Sequence, residues 1–151
     1  MMVRSQGRGI LFLFGMLATV FTLTSAVAAE YVSVVKDGVN LRSAPGTNAE
    51  ILFQLPLNYP LEVLGKEGQW FKVSDYEGDK GYIQETLVGK TPHVIVKVKE
   101  CKIYSGPGTK EKVVGNGVKD VILQKVEQKG DWIKVTHPSL TGWVNKSAVW
   151  P

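Results

Sequence analysis

Two five-residue runs, Trp70-Phe71-Lys72-Val73-Ser74 and Trp132-Ile133-Lys134-Val135-Thr136, alternate apolar and polar side chains with a period of two. On a strand, successive side chains point to opposite faces. Phe71 and Val73 therefore share one face, while Trp70, Lys72 and Ser74 share the other. In the second run Ile133 and Val135 lie opposite Trp132, Lys134 and Thr136. The aliphatic face is the predicted core. A Trp placed twice on the Lys-bearing face is the more informative feature, since large aromatics away from a core mark contact surfaces. Short runs of this kind, punctuated by Gly and Pro, fill the chain from residue 31 onward, and none sustains a helical period for long. The predicted class is all-β.

The two runs belong to a longer repetition. At an offset of 62, Ser43, Pro45, Gly46 and Thr47 fall on Ser105, Pro107, Gly108 and Thr109, and Gly68, Trp70, Lys72 and Val73 fall on Gly130, Trp132, Lys134 and Val135. One deletion later, "GYIQETLV" (81–88) falls on "GWVNKSAV" (142–149), and the lead-in "YVSVVK" from Tyr31 matches "HVIVKV" from His93. Anchors kept in order over this length indicate a tandem duplication. In 44–47 and 106–109 the Pro-Gly pairs predict type II turns, with Gly supplying positive φ at the third position. Gly68 and Gly130 read as hairpin tips, and "DYEGDKG" and "THPSLTG" as a further turn. Each unit then holds about five short strands, which suits a small barrel or sandwich. The units span 30–90 and 93–151. The link "VGKTP" (88–92) is too short for independent tumbling, so two adjacent barrels are expected.

The pattern "GVNLRSAPGT…GQWFKV…GDKGYIQETLV" resembles a bacterial SH3 domain, and "YSGPGT…GDWIKV…LTGWVNKSAV" resembles a second. The resemblance covers nearly all of the chain after residue 30 and implies two tandem SH3-like barrels. The first unit keeps the family's Asn-x-Arg as Asn40-Leu41-Arg42, whereas the second has Lys102-Ile103-Tyr104. Neither has the Ala-Leu-Tyr-Asp-Tyr run of the proline-rich-peptide binders, so that ligand is not carried over. The resemblance implies a recognition module, commonly one for cell-wall material (cross-bridge peptide or glycan) and in other members one for envelope proteins.

The front of the chain reads differently. Arg4 and Arg8 precede an unbroken apolar stretch from Ile10 to Thr24, and "SAVAA" follows. This is the pattern of a signal peptide over 1–29, a helix cleaved after Ala28 or Ala29. The alternative is an uncleaved anchor helix over Ile10 to Ala29. Export is expected either way, to a periplasmic or secreted location, with no membrane attachment once cleavage occurs. Of the eighteen Lys and Arg residues, sixteen remain when Arg4 and Arg8 are set aside, against fourteen Asp and Glu. The charge is uneven: residues 30–92 carry six basic and nine acidic groups, and residues 93–151 carry ten and five. The basic unit could be steered toward an anionic polymer. Nucleic acid is not an expected partner for an exported chain of modest basic density.

Candidate chemistry is sparse. Cys101 rules out an internal disulfide, takes the place of Val39 in the duplication and reads as a small buried hydrophobe. His93 replaces Tyr31 and His137 sits beside Pro138, which makes neither a metal site nor a Cys-His pair. "GPGTKEK" lacks the ending of a phosphate loop, and "DYEGD" lacks the spacing of a calcium loop. No enzyme, cofactor or metal is expected. The binding candidates are Trp70 and Tyr82 in the first unit and Tyr104, Trp132 and Trp143 in the second, with Arg42 added by the resemblance. Flat aromatic faces suit sugar rings. Tyr82 and Trp143 have a second reading, as barrel caps or packing between units. The expected function is non-catalytic binding of peptidoglycan or another wall polymer, the alternative an adaptor for another exported protein.

Overall fold

The computed structural model describes residues 25–151. The signal-peptide reading falls mainly on residues outside this range. Among the described residues no helix is long and apolar enough to cross a membrane.

The chain builds two seven-stranded antiparallel sheets. The first contains β1 (Glu30–Val34), β2 (Val39–Arg42), β3 (Ile51–Leu55), β4 (Pro60–Glu67), β5 (Trp70–Ser74), β6 (Lys80–Gln84) and β7 (Val88–Gly89). The second contains β8 (His93–Val96), β9 (Glu100–Tyr104), β10 (Val113–Val118), β11 (Ile122–Lys129), β12 (Trp132–His137), β13 (Leu140–Asn145) and β14 (Val149–Trp150). Their strand orders, β3-β2-β6-β5-β4-β1-β7 and β10-β9-β13-β12-β11-β8-β14, are one topology written twice. Each sheet has seven strands rather than about five, because the lead-in strand and a two-residue closing strand also pair. Val88 and Gly89 belong to β7, so the connection between sheets shrinks to Lys90, Thr91 and Pro92.

Each sheet curls around its own core. Val32, Val34, Val39, Leu41, Leu55, Leu61, Val73 and Ile83 come from six strands and form one cluster, which a flat sheet could not bring together. The second cluster is Val94, Val96, Ile103, Leu123, Ile133, Val135, Val144 and Val149. Burying each such side chain stabilises by about 1.5–3 kcal/mol before the entropy of ordering is subtracted. The alternation along β5 and β12 is as the sequence predicts: Val73, Ile133 and Val135 are buried, Phe71 packs against the first core, and both Trp residues lie on the opposite face. Register shifts between Val63 and Gly65 and between Lys125 and Glu127 leave Leu64 and Val126 as bulge residues. Bulges bend and twist a strand, which lets the eight-residue β4 and β11 wrap a barrel.

Two expectations need correction. Gly46 has φ +144°, away from the value near +80° that a type II turn needs at its third position, and Gly108 is not in the positive-φ region. The loop turns two residues later: Ala49 N donates to Gly46 O and Glu111 N to Gly108 O, while Ser43 N to Glu50 O and Ser105 N to Lys112 O close its base. The hairpin tips hold, with Gly68 at φ +59° and Gly130 at φ +58° in the first central position of two-residue type II′ connections. Cys101 is half-buried, not fully buried. Its partner across the ladder is Gly117, where the first barrel pairs Val39 with Leu55. With no leucine to cover it, the thiol lies over the glycine, 3.0 Å from where a Cβ would stand.

Candidate functional site

The candidate residues gather on the outer face of each barrel through strand register. Arg42 on β2 is opposite Tyr82 on β6, which is opposite Lys72 on β5, and Trp70 lies beside Gln84 one step along. Arg42 Nη1 donates to Ala49 O at 2.9 Å, tying it to the loop after β2. The Tyr82 hydroxyl donates to Glu67 Oε1 at 3.2 Å. A groove of about 160 Å³ opens between Asn40, Arg42, Thr47, Trp70 and Gln84. Arg42, Trp70 and Tyr82 thus form one surface, with the Trp and the guanidinium on the groove.

The second barrel repeats the register with other side chains. Tyr104 on β9 is opposite Trp143 on β13, which is opposite Lys134 on β12, and Trp132 is beside Asn145. Tyr104 and Trp132 meet edge to face with ring centres 5.4 Å apart. Trp143 is only 6% exposed and lies under the Lys129 ammonium, 5.4 Å from its ring centre. Its ring therefore supports the face rather than presenting itself. Tyr104 and Trp132 are half-buried, so part of each side chain stays accessible.

The groups considered for catalysis are engaged locally. Burial raises the pKa of the Cys101 thiol, partly offset by a hydrogen bond from the Gly117 backbone. His93 donates from Nδ1 to Thr91 O at 3.0 Å, and His137 lies 3.2 Å from Ser139 Oγ. Burial lowers the pKa of His93. Within "DYEGD", Asp75 Oδ1 accepts from the backbone of Glu77 and Asp79, which spends that carboxylate on the turn. No group of three His, Cys, Asp or Glu converges as a metal site among the described residues.

Sequence reasoning missed the seam between the barrels. Tyr31 and Trp150 meet edge to face at 5.5 Å. The Tyr76 hydroxyl donates to Asp120, and Lys119 pairs with Glu77 at 3.3 Å. Burial first, then these carboxylate contacts, push the Tyr76 pKa upward, so the hydroxyl stays a donor. A crevice of about 630 Å³ opens beside the seam, lined by Asn58 from the first barrel and by His93, Gln124, Thr136 and Thr141 from the second. A neighbouring cleft of about 310 Å³ shares Asn58, His93 and Gln124. A signal was present in the duplication: His93, Gln124 and Thr136 stand where the first unit has Tyr31, Glu62 and Ser74.

Comparison with known proteins gives two matches to bacterial SH3 domain models, over residues 37–88 and 97–151. A Bacillus subtilis (strain 168) protein, YrvJ, named as a candidate N-acetylmuramoyl-L-alanine amidase, is 26% identical over 140 residues, covering 85% of this chain and 27% of its own length. The chain thus spans about a quarter of that relative. Among solved structures, NlpC2 from Trichomonas vaginalis aligns at 15% identity with a TM-score of 0.36, over 84% of this chain and 49% of its own. An NlpC/P60 family protein from Bacillus cereus aligns at 16% identity with a TM-score of 0.38, over 80% and 56%.

Proposed function

Because the chain belongs to the bacterial SH3 domain family, one copy in each barrel, we propose that it is a non-catalytic module of the cell envelope that binds peptidoglycan. The observation that carries this reading is the outer face repeated at one register in both barrels: Arg42, Trp70 and Tyr82 in the first, Tyr104, Trp132 and Trp143 in the second. Partly exposed aromatic side chains beside hydrogen-bonding groups suit sugar rings and peptide amides alike. Two such faces on one rigidly short connection raise avidity for a repetitive polymer without new contacts. The name of the B. subtilis relative, an amidase of the N-acetylmuramoyl–L-alanine linkage, supports wall polymer as the ligand class. Non-catalytic action is supported by the local engagement of Cys101, His93 and His137. Export by the leader at 1–29 would deliver the barrels to the wall.

The test is co-sedimentation of the full-length protein with protein-free sacculi at low and high salt. Retention that resists salt is expected, with Trp70→Ala and Trp132→Ala each weakening it about five- to thirtyfold. Unchanged retention in the double variant would sink the aromatic-face reading. A second reading, an adaptor for another exported protein, rests on β3, a sheet-edge strand whose Ile51, Leu52 and Phe53 are 38–47% exposed. An exposed apolar edge is a template for strand addition. Salt-independent failure to pellet with sacculi would favour it.

A further inference from the structure

The crevice beside the seam has an order that its lining alone does not reveal. Gln124 on β11 is in register with His93 on β8 and with Thr136 on β12, and Thr136 is in register with Thr141 on β13. Register partners project from the same face. Four hydrogen-bonding side chains therefore form one row across four adjacent strands, about 14 Å long at roughly 4.8 Å per interstrand step. In the first barrel the equivalent row is Tyr31, Glu62, Ser74 and Lys80, which carries two charges.

Each member of the row is uncharged and partly pre-set. His93 is 8% exposed and donates from Nδ1 to a carbonyl. Among the described residues Nε2 takes part in no hydrogen bond, yet it is not a buried unpaired atom. It therefore keeps some contact with solvent and, with Nδ1 donating, is the ring's lone-pair acceptor. Burial lowers the pKa of the ring, which keeps that lone pair free near neutral pH. The Thr136 and Thr141 hydroxyls lie 2.9 Å apart, so one donates to the other and a single O–H is left for a ligand. Asn58 faces the row from the first barrel, fixed at φ +68° with its N–H bonded to Val34 O at 2.8 Å. Ile122 and Leu140 add small apolar patches.

We propose that this crevice binds the N-acetylated amino-sugar strand of the wall polymer, laid along His93, Gln124, Thr136 and Thr141 with Asn58 on the opposite wall. The inference rests on the wall-polymer reading and specifies the glycan as the part recognised. No lysine, arginine, aspartate or glutamate lines the crevice, and its ionisable side chains are the two histidines His93 and His137, so a charged peptide finds no permanent counter-charge there. An N-acetylhexosamine is neutral, offers donors and acceptors around its ring, and carries a methyl group for the apolar patches. A volume of about 630 Å³ lies within the roughly 300–1,000 Å³ of small-molecule sites.

The test is calorimetric titration of the full-length protein with a tetramer of N-acetylglucosamine and with the matching glucose tetramer, run beside sacculus pelleting. Asn58→Gly removes the amide while suiting the positive φ, and Gln124→Ala is an exposed change; both should fold. The expected result is salt-resistant binding of the N-acetylated tetramer, weaker binding of the glucose tetramer, and a loss of about three- to tenfold in each variant. Sacculus pelleting without tetramer binding, or tetramer binding untouched by both crevice variants, would overturn the crevice while leaving the wall reading intact. Failure of both assays would overturn both.

Discussion

The outer faces of the two barrels share a register and differ in what the aromatic ring is left to do. In the first, Arg42 is held by Ala49 O, and the ring of Trp70 borders an open groove. In the second, Tyr104 stands where Arg42 would be and meets Trp132 edge to face, while Trp143 is buried under Lys129. With Tyr104 in place of Arg42 and Trp143 in place of Tyr82, a groove with a fixed cation gives way to an aromatic cluster. The crevice rows differ in the same way, charged in the first barrel and neutral in the second. A duplicated scaffold has thus kept its core and diversified its faces, which is where binding specificity resides.

What must stay equal between the barrels can be tested first. Gly81 and Gly142 lie where a Cβ would stand 2.6 Å from Leu41 Cγ and Ile103 Cγ2, and within 2.9 Å of a backbone oxygen. Gly81→Ala and Gly142→Ala should each cost about 2–3 kcal/mol or more, read from urea unfolding. If either is tolerated, the two β-barrel walls are not packed alike. The next effect concerns the divergent face. Tyr104→Arg copies the first barrel and removes the edge-to-face pair with Trp132, at a cost of about 1 kcal/mol. The same denaturation measurement should show it, and an unchanged midpoint would mean that the pair adds nothing to stability.

A finer comparison uses Asn58 and Asp120, equivalent positions at φ +68° and +71°. Glycine relieves the left-handed strain at both, by about 0.5–1 kcal/mol. Asn58→Gly should therefore raise the melting temperature slightly. Asp120→Gly should not, because it also removes the acceptor of the Tyr76 hydroxyl at the seam. Equal gains in the two variants would show that the seam bond contributes no stability. The smallest effect is in pH. Burial holds the folded pKa of His93 below its ordinary 6.5. Above about 6.5 both folded and unfolded states are neutral there, and the contribution is fully present; as pH falls, the unfolded chain takes the proton first and stability declines. His93→Tyr, the residue of the first barrel, should flatten that part of the melting-temperature profile between pH 7.5 and 5.5, roughly the range where histidine titrates. An unaltered slope would assign the dependence to other groups.

Local patterns made much of this legible. Period-two alternation identifies the inward faces of β5 and β12, and the repeated Gly-x-Trp-x-Lys-Val order reveals two copies of one topology. Gly68 and Gly130 mark the hairpin tips, because few other residues accept the positive φ found there. The Pro-Gly loops were harder: Pro presets its own φ, but the base hydrogen bonds from Ser43 to Glu50 and from Ser105 to Lys112 decide where the chain turns. Cys101 is less buried than its place in the repeat implies, because its cover depends on Gly117, a neighbour sixteen residues away.

The sequence by itself determined the class, the duplication, the hairpin tips and the aromatic candidates, since each depends on residues close along the chain. Only the tertiary structure decided that Trp143 is covered while Trp132 stays accessible, and that Tyr31 meets Trp150 across the seam. It also aligned His93, Gln124, Thr136 and Thr141. Periodicity tells which side of a strand a residue occupies, but interstrand register and barrel closure choose its neighbours, and those are set by loops and cores acting at a distance.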